Sequence, residues 1–258
     1  MQAANSYATG AGGPDFERRV ATGFVCSALV GVPIPPLAYP VGTIWLQAVH
    51  LNCGFDDLVL ETVVGGKAQQ RVFVSVKSAI TPTTSDPEFA EVISKAWKDW
   101  QPGTGFDRNK DTFFLVAATS RSPRIHLLGK LTDIARASAD GADFEQRLSR
   151  KGYNQLAIRE LRPEIAGIIE KETQAAPDGE ELRQFLSRLF VSTFDFDQEA
   201  SQDKSRVLVM LKLASESRDG AAANSCWNAV FESISLSTAK AKVFTSAELA
   251  TIAGQHGL

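Results

Sequence analysis

The feature that most constrains the fold of this chain is an almost unbroken apolar run, DTFFLVAAT, at residues 111–119. A strand of this composition is buried on both faces, which is typical of a parallel strand covered by helices on each side. It follows residues 88–100, in which apolar side chains recur at helical spacing. A helix followed by a doubly buried strand predicts an α/β core.

The N-terminal part of the chain predicts a helix at residues 15–30, because Phe16, Val20, Phe24 and Ala28 recur every four residues. A cluster of prolines ends that helix, and residues 43–51 read as the first strand. Further helices are predicted at residues 125–139, 144–151, 156–173 with an interruption at Pro163, 180–189, 206–217, 222–236 and 246–256, and a strand at 190–196. We therefore expect a disordered segment at 1–12, an α/β core at 13–130 with a central mixed sheet, and a helical region at 131–258. The helical region is expected either to pack on the core or to lead into a further domain.

A β-hairpin is predicted at residues 55–77, with paired glycines in its turn. Side chains alternate between the two faces of a strand, so Ser75 and Lys77 share a face. If the hairpin is centred near Lys67, Asp57 lies directly opposite Lys77, about 5 Å away at Cβ. A slip of one residue would move the two side chains to opposite faces.

This pair of residue types suits the hydrolysis of phosphodiesters. A carboxylate such as Asp57 can hold Mg²⁺ or Mn²⁺, and Mg²⁺ prefers oxygen ligands and keeps several waters. A bound metal stabilises charge on the phosphate and activates water. A neighbouring lysine, here Lys77, can orient that water or neutralise the transition state.

These residues resemble the PD-(D/E)XK nuclease pattern: Asp57 before Leu-Val-Leu, then a turn, then Val-Ser-Val-Lys77. The stretch DFERRVA is similar to the first helix of that fold, in which Glu17 matches a glutamate that assists the site. The motifs cover residues 13–119, and a looser likeness extends over residues 185–249. Within the superfamily, the chain is similar to double-stranded DNA endonuclease domains of bacterial antiphage systems. These include effectors of cyclic-oligonucleotide signalling and N-terminal domains of antiviral STAND NTPases.

The resemblance implies an Mg²⁺-dependent deoxyribonuclease that acts on double-stranded DNA and is activated by assembly into a homo-oligomer. STAND proteins also carry an NTPase, but this sequence has no GxxxxGK[ST] phosphate-binding loop. A sensor or NTPase is therefore expected outside these residues. No residue type in the pattern distinguishes DNA from RNA, so RNA cleavage stays an alternative.

One position departs from the family pattern, because Ser75 stands where the family has Glu or Gln. The second carboxylate could come from another position, for which the candidates are Glu61, Glu88 and Glu91. Alternatively Asp57, water, the Val76 carbonyl and the substrate phosphate suffice. In the third alternative the nuclease site has decayed, and the domain acts as an oligomerisation or nucleic-acid-binding module.

Net charge, cysteine spacing and hydropathy limit the partners and the cellular compartment that we expect. The net charge of −3 is unfavourable for DNA binding, which depends on phosphate neutralisation, so a local basic patch is needed. Its candidate members are Arg18, Arg19, Lys95, Lys98, Arg108, Lys110, Arg121 and Arg124. Three scattered cysteines without metal-binding spacing predict buried free thiols in a reducing cytoplasm. No segment predicts a membrane span.

Overall fold

Within the described residues, six strands form one mixed sheet. The computed structural model describes residues 12–34, 37–47, 51, 53–55, 57–65, 67–150, 155–237 and 242–258. The strands are β1 (Val41–Leu46), β2 (Leu58–Val64), β3 (Lys67–Lys77), β4 (Thr112–Ala118), β5 (Leu189–Phe194) and β6 (Lys242–Phe244). Their order across the sheet is β5-β4-β3-β2-β1-β6. The predicted α/β class with a central mixed sheet is confirmed.

Helices cover both faces of the sheet. They are α1 (Gly12–Leu29), α2 (Pro87–Trp100), α3 (Ile125–Ala137), α4 (Gly141–Ser149), α5 (Gln155–Thr173), α6 (Gly179–Arg188), α7 (Gln202–Ala214), α8 (Gly220–Ser237) and α9 (Ser246–Gln255). Helices α2 to α6 contribute to the apolar cluster on one face of the sheet. Helices α1, α7, α8 and α9 contribute to the cluster on the other face.

Strand β4 is the doubly buried strand that the apolar run predicts. All of its residues are buried, and it pairs in parallel with β3 on one side and β5 on the other. Phe113 packs in the cluster beneath α2, whereas the next residue, Phe114, packs in the cluster beneath α1. The alternation of side chains along this one strand therefore joins both layers to the sheet.

The β2–β3 hairpin forms as predicted, but in a different register. Leu58 pairs with Val74 and Glu61 pairs with Arg71, so the extension of the ladder puts Ser75, not Lys77, opposite Asp57. The predicted direct opposition of Asp57 and Lys77 is wrong by two residues along β3. The turn lies closer to Gly65, whose φ is +57°, and the register shifts between Glu61 and Val63.

Beyond residue 130 the chain remains part of the same sheet. The strand predicted at 190–196 is β5, which extends the sheet next to β4, and the unpredicted β6 pairs with β1 at the opposite edge. The predicted boundary between residues 130 and 131 therefore does not coincide with a break in the sheet. Helix α1 begins at Gly12, and the rest of the segment predicted to be disordered lies outside the described residues.

The chemistry of the cysteines matches their predicted burial. Cys26, Cys53 and Cys226 are free and buried, and desolvation by burial raises the pKa of Cys53 to about 12.

Among the helices that the structure describes, none combines the length and apolarity needed to cross a bilayer.

Candidate functional site

Asp57 lies immediately before β2, against the end of β3, and its carboxylate is held from β3. The Ser75 hydroxyl donates to Asp57 Oδ2 at 3.1 Å, and the Val76 amide donates to the same oxygen at 2.7 Å. The Asp57 carbonyl accepts from the Gln47 amide at 3.0 Å. Among the described residues, no hydrogen bond reaches Oδ1, so that oxygen can accept another ligand.

Two further groups fix the segment that carries Asp57. Gln47 has a φ of +52°, a left-handed conformation that is uncommon for a residue other than glycine and that concentrates at functional sites. Asp99, on α2, accepts from the Gly54 amide at 2.9 Å and from the Phe55 amide at 2.8 Å. Asp99 is only 5% exposed, and desolvation by burial raises its pKa although both amide bonds oppose that rise.

The sequence reasoning missed Asp99 as a positioning residue. The signal was present, because Asp99 is an acidic residue on the apolar face of the amphipathic helix α2, next to Trp100. A carboxylate at such a position has to find buried donors. The sequence alone does not show that those donors are the two amides that precede the Asp57 strand.

Glu17 lies on α1 and faces a small cavity that it shares with Asp57. The cavity has a volume of about 20 Å³ and is also lined by Arg18, Gln47 and Ile234. A volume of this size holds about one water molecule or ion. We call it the Asp57 cavity. The structure therefore brings together Asp57 and the glutamate that the nuclease pattern predicts.

Lys77 is the last residue of β3, and its ammonium group lies 3.9 Å from Glu88 Oε2. Its side chain is 23% exposed and that of Glu88 is 56% exposed. Extension of the hairpin register makes Asp57 and Lys77 diagonal neighbours, which are separated by about 7–8 Å. Lys77 thus lies near the carboxylate, with Glu88 as its partner from the start of α2.

The structure does not bring Glu61 to this end of the sheet. It lies four residues further along the chain than Asp57, about 13 Å at the rise of a strand, and it pairs with Arg71. Arg71 in turn forms a 2.5 Å ion pair with the buried Asp111. Burial raises the pKa of Glu61, and Asp111 adds to the rise while Arg71 opposes it. Glu61 therefore belongs to a structural charge cluster.

Glu91, which is also on α2, was the other candidate for a second carboxylate ligand, but it has a different partner. Glu91 forms an ion pair with Lys95 at 2.6 Å. That hydrogen bond lowers the pKa of Glu91, and the charge of Lys77 contributes in the same direction. Glu88 is thus the candidate carboxylate that contacts a predicted site residue.

The donor atoms at the Asp57 cavity fit a hard divalent cation. Carboxylate oxygens are the ligands that Mg²⁺ prefers, and Mg²⁺ usually takes only one or two carboxylates and keeps its waters. In the part of the chain that the structure describes, no cluster of three or more His, Cys, Asp or Glu side chains is arranged to hold a metal. A bound Mg²⁺ would therefore rely on Asp57, with Glu17 nearby, and on water and substrate oxygens.

Comparison with known proteins gives a likeness in fold. No family model matches the chain, and no curated protein matches it. The solved structure of an Acinetobacter baumannii Cap4 SAVED/CARF-domain containing receptor, with the cyclic trinucleotide 3'3'3'-cAAA, matches at a TM-score of 0.53 and 12% identity. That match covers 95% of this chain and 44% of the receptor chain.

A second solved structure gives the same result. The Moraxella osloensis Cap4 SAVED/CARF-domain containing receptor matches at a TM-score of 0.53 and 11% identity, over 95% of this chain and 47% of the receptor. The chain thus spans less than half the length of either receptor. At this level of identity, the likeness shows a shared fold.

Proposed function

We propose that this protein is a metal-dependent DNA endonuclease that hydrolyses phosphodiester bonds and acts in antiphage defence. The observation that carries the proposal is the placement of Asp57. Its carboxylate lies between the end of β3 and a cavity that α1 also lines with Glu17. This is the juxtaposition that the resemblance to the PD-(D/E)XK pattern predicts.

In this proposal each residue has a defined part. Asp57 would hold Mg²⁺ or Mn²⁺, while Ser75 and the Val76 amide orient the carboxylate through Oδ2. The Val76 carbonyl and Glu17 are further oxygen donors within the same region. When bound, the metal supplies charge neutralisation at the phosphate and a more acidic water. Lys77 orients the attacking water or compensates negative charge on the phosphate.

The role in defence and the activation by assembly rest on likeness. The sequence pattern resembles antiphage nuclease effectors, and the fold resembles that of Cap4 receptors, one of which was solved with a cyclic trinucleotide. As the resemblance to antiphage effectors implies, we propose that a sensor domain or partner outside residues 1–258 triggers cleavage. The acidic net charge of −3 makes a monomer a weak DNA binder, so activation by oligomerisation is part of the proposal.

A second function is favoured by one specific contact. The Ser75 hydroxyl occupies the position from which a second carboxylate would face Asp57. It donates a hydrogen bond to Asp57 Oδ2. In a decayed site this hydrogen bond would have a purely structural role. The domain would then serve as an oligomerisation or nucleic-acid-binding module without hydrolysis.

Titration with Mg²⁺ distinguishes the two functions. The melting temperature of the wild type is measured against Mg²⁺ concentration, beside Asp57→Ala and the control Asp133→Ala, whose side chain is 73% exposed on α3. For a nuclease, Mg²⁺ stabilises the wild type and the control, because it binds the native state, but it does not stabilise Asp57→Ala. Equal responses of all three proteins would contradict the metal site and favour the decayed module.

A further inference from the structure

The residue that follows β1 has a backbone conformation that its own side chain does not favour. Gln47 comes directly after Leu46, the last residue of β1, and its φ is +52°. The left-handed region is sterically unfavourable for a residue with a Cβ, and glycine, asparagine and aspartate adopt it most readily. The reason for a glutamine in this conformation therefore lies in its surroundings.

The end of a helix, a common reason for a left-handed residue, does not account for Gln47. Among the described residues, Arg124, Gln174 and Arg218 also combine a side chain with a positive φ. Gln174 follows α5, and its amide donates to the Glu170 carbonyl at 2.8 Å, which is an ordinary way for a helix to end. Arg124 directly precedes α3, and Arg218 lies between α7 and α8. Gln47 instead follows a strand, and it is the member of this set that lines the Asp57 cavity.

The left-handed conformation changes the side of the sheet on which Gln47 lies. Consecutive side chains of a strand point to opposite faces, and Leu46 packs in the cluster that α1 covers. In an extended chain Gln47 would therefore face away from that cluster. Yet Leu46 and Gln47 both line the Asp57 cavity. The turn in the backbone at residue 47 thus brings a polar residue to the cavity that an unbroken strand would direct elsewhere.

A backbone hydrogen bond fixes Gln47 against the proposed metal ligand. The Gln47 amide donates to the Asp57 carbonyl at 3.0 Å. Gln47 is also exposed, so it lies where the Asp57 cavity meets solvent. Strained backbone of this kind persists where the surrounding structure holds it in place, and it concentrates at sites of ligand binding.

The oxygen atoms around the cavity leave a place for a neutral ligand. Among the described residues that line it, Asp57, Glu17 and Gln47 carry side-chain oxygens. Mg²⁺ usually takes only one or two carboxylates, which Asp57 and Glu17 can supply, and carbonyl oxygens also suit this ion. Ser75, at the position of the second acid in the nuclease pattern, donates its hydroxyl to Asp57. The side-chain carbonyl of Gln47 is thus a further oxygen donor at a site that lacks that acid.

We infer that Gln47 is a metal ligand of the nuclease site, and that its side-chain amide oxygen adds to the oxygen donors of Asp57 and Glu17. This inference rests on the proposed function and deepens it, because it names the residue that compensates for Ser75. The strain at residue 47 then has a function, since it directs the amide to the cavity.

The test separates the side chain of Gln47 from its backbone conformation. Gln47→Gly removes the side chain and adopts a positive φ without strain, whereas Gln47→Glu keeps the length and adds a charge. The matched control is Gln174→Gly, which removes the same side chain at a φ of +61° after the end of α5. The melting temperature of the full chain is measured in EDTA and against Mg²⁺ concentration, and the stabilisation gives an apparent Kd for Mg²⁺. Circular dichroism establishes that each variant is folded.

In EDTA, Gln47→Gly and Gln174→Gly should both melt at least as high as the wild type, because glycine relieves the left-handed strain. With Mg²⁺ the two should differ. Residues that only hydrogen-bond to a metal ligand contribute about 10–100-fold to metal affinity, so the Kd of Gln47→Gly should rise by at least about ten-fold. Gln174→Gly should keep the wild-type Kd, and Gln47→Glu should bind Mg²⁺ at least as tightly as the wild type, because carboxylates are preferred ligands.

A wild-type Kd for Gln47→Gly would overturn the inference, since Gln47 would then act through its backbone alone. An equal rise of the Kd in Gln174→Gly would also overturn it, as would weaker binding of Mg²⁺ by Gln47→Glu.

The variant Asp57→Ala distinguishes a failure of this inference from a failure of the proposed function. If Mg²⁺ stabilises the wild type and Gln47→Gly alike but not Asp57→Ala, only the role of Gln47 is overturned. If Mg²⁺ stabilises the wild type no more than Asp57→Ala, the metal site is absent, and both proposals are overturned together.

Discussion

The substitution Ser75→Glu gives the sharpest test of the site geometry. Ser75 Oγ lies 3.1 Å from Asp57 Oδ2, and Ser75 is only 6% exposed. A glutamate there places a second carboxylate beside the first, at the position where the nuclease family carries its second acidic ligand. Without a metal, the two negative charges repel one another in a half-buried setting.

The size of that repulsion follows from Coulomb's law. Two unit charges about 4 Å apart interact by about 4 kcal/mol at an effective dielectric constant of about 20. The new carboxyl group can instead take up a proton, which costs about 3.7 kcal/mol at pH 7 for a glutamic acid with an ordinary pKa. The free energy of unfolding should therefore fall by about 3–4 kcal/mol. For a chain of this size, that corresponds to about 6–16 °C in melting temperature.

Mg²⁺ should reverse this loss, because a cation between the two carboxylates removes the repulsion. A ligand at about 100 times its Kd adds about 2.7 kcal/mol to the stability of the state that binds it. The assay is thermal melting in EDTA and in saturating Mg²⁺, followed by plasmid cleavage. In a site that has decayed only at Ser75, Ser75→Glu should also create or increase Mg²⁺-dependent cleavage.

The matched control is Ser75→Gln, which has the same length but no charge. It should melt well above Ser75→Glu in EDTA, and it should respond to Mg²⁺ no more than the wild type. If both variants melted at the same temperature in EDTA, the carboxylate of residue 75 would not face Asp57. If Mg²⁺ stabilised both equally, the carboxylate of residue 75 would not be a metal ligand.

Two further predictions concern the support of the site and the stability of the fold. Asp99→Asn leaves one of the two amides before Asp57 without an acceptor. We therefore expect the free energy of unfolding in urea to fall by about 1–3 kcal/mol and cleavage to weaken. If neither quantity changed, Asp99 would not be a positioning residue. The hydrogen bonds from Arg183 lower the pKa of Glu180 to about 2, so this pair stabilises the fold above the unfolded pKa near 4.5 and loses that effect as the pH falls toward 2. Since the Glu180 side chain is 41% exposed, Glu180→Gln should reduce stability by less than about 1 kcal/mol at pH 7. Urea unfolding should show that difference shrink at pH 3, and a difference independent of pH would contradict the assignment.

The sequence predicts the strongly patterned elements well. The apolar run becomes β4, buried on both faces, and α2 covers the predicted residues with one extra residue, Pro87, at its start. In both cases local pattern and tertiary burial favour the same structure. Helix α5 was expected to break at Pro163, yet it runs continuously from Gln155–Thr173. One proline removes a single backbone hydrogen bond, and the buried apolar face of α5 offsets that loss.

Features that depend on pairing between distant parts of the chain are harder to predict from the sequence. The register of the hairpin follows from a turn near Gly65 and from an irregularity after Glu61. Two consecutive glycines at residues 65 and 66 allow several turns of similar energy, so the sequence did not fix which residue faces Asp57. The three-residue strand β6 is too short to show a period. Its pairing with β1 depends on how the C-terminal helices pack.

The candidate site was predicted in its residue types and only partly in its geometry. Glu17 and Asp57 meet at one cavity, as the resemblance implied. Glu61 shares the face of Asp57 in the sequence pattern, but it lies opposite Arg71 in the ladder, and the charge of Arg71 opposes the rise that burial causes in the pKa of Glu61. Alternation along a strand identifies the face of a side chain, but it does not identify the end of the sheet at which chemistry occurs.

Cleavage of supercoiled plasmid with Mg²⁺ or Mn²⁺ tests the central claim most directly. The wild type is compared with Lys77→Ala and with Lys67→Ala, a control at the exposed start of the same strand, at low and high protein concentrations. The account predicts cleavage by the wild type and by Lys67→Ala that rises steeply with protein concentration. It predicts none by Lys77→Ala, which should stay folded because its partly exposed ion pair contributes less than about 1 kcal/mol. Full activity of Lys77→Ala would contradict the nuclease assignment. The assignment would also be contradicted if the wild type cleaved no plasmid at any concentration and was not stabilised by Mg²⁺.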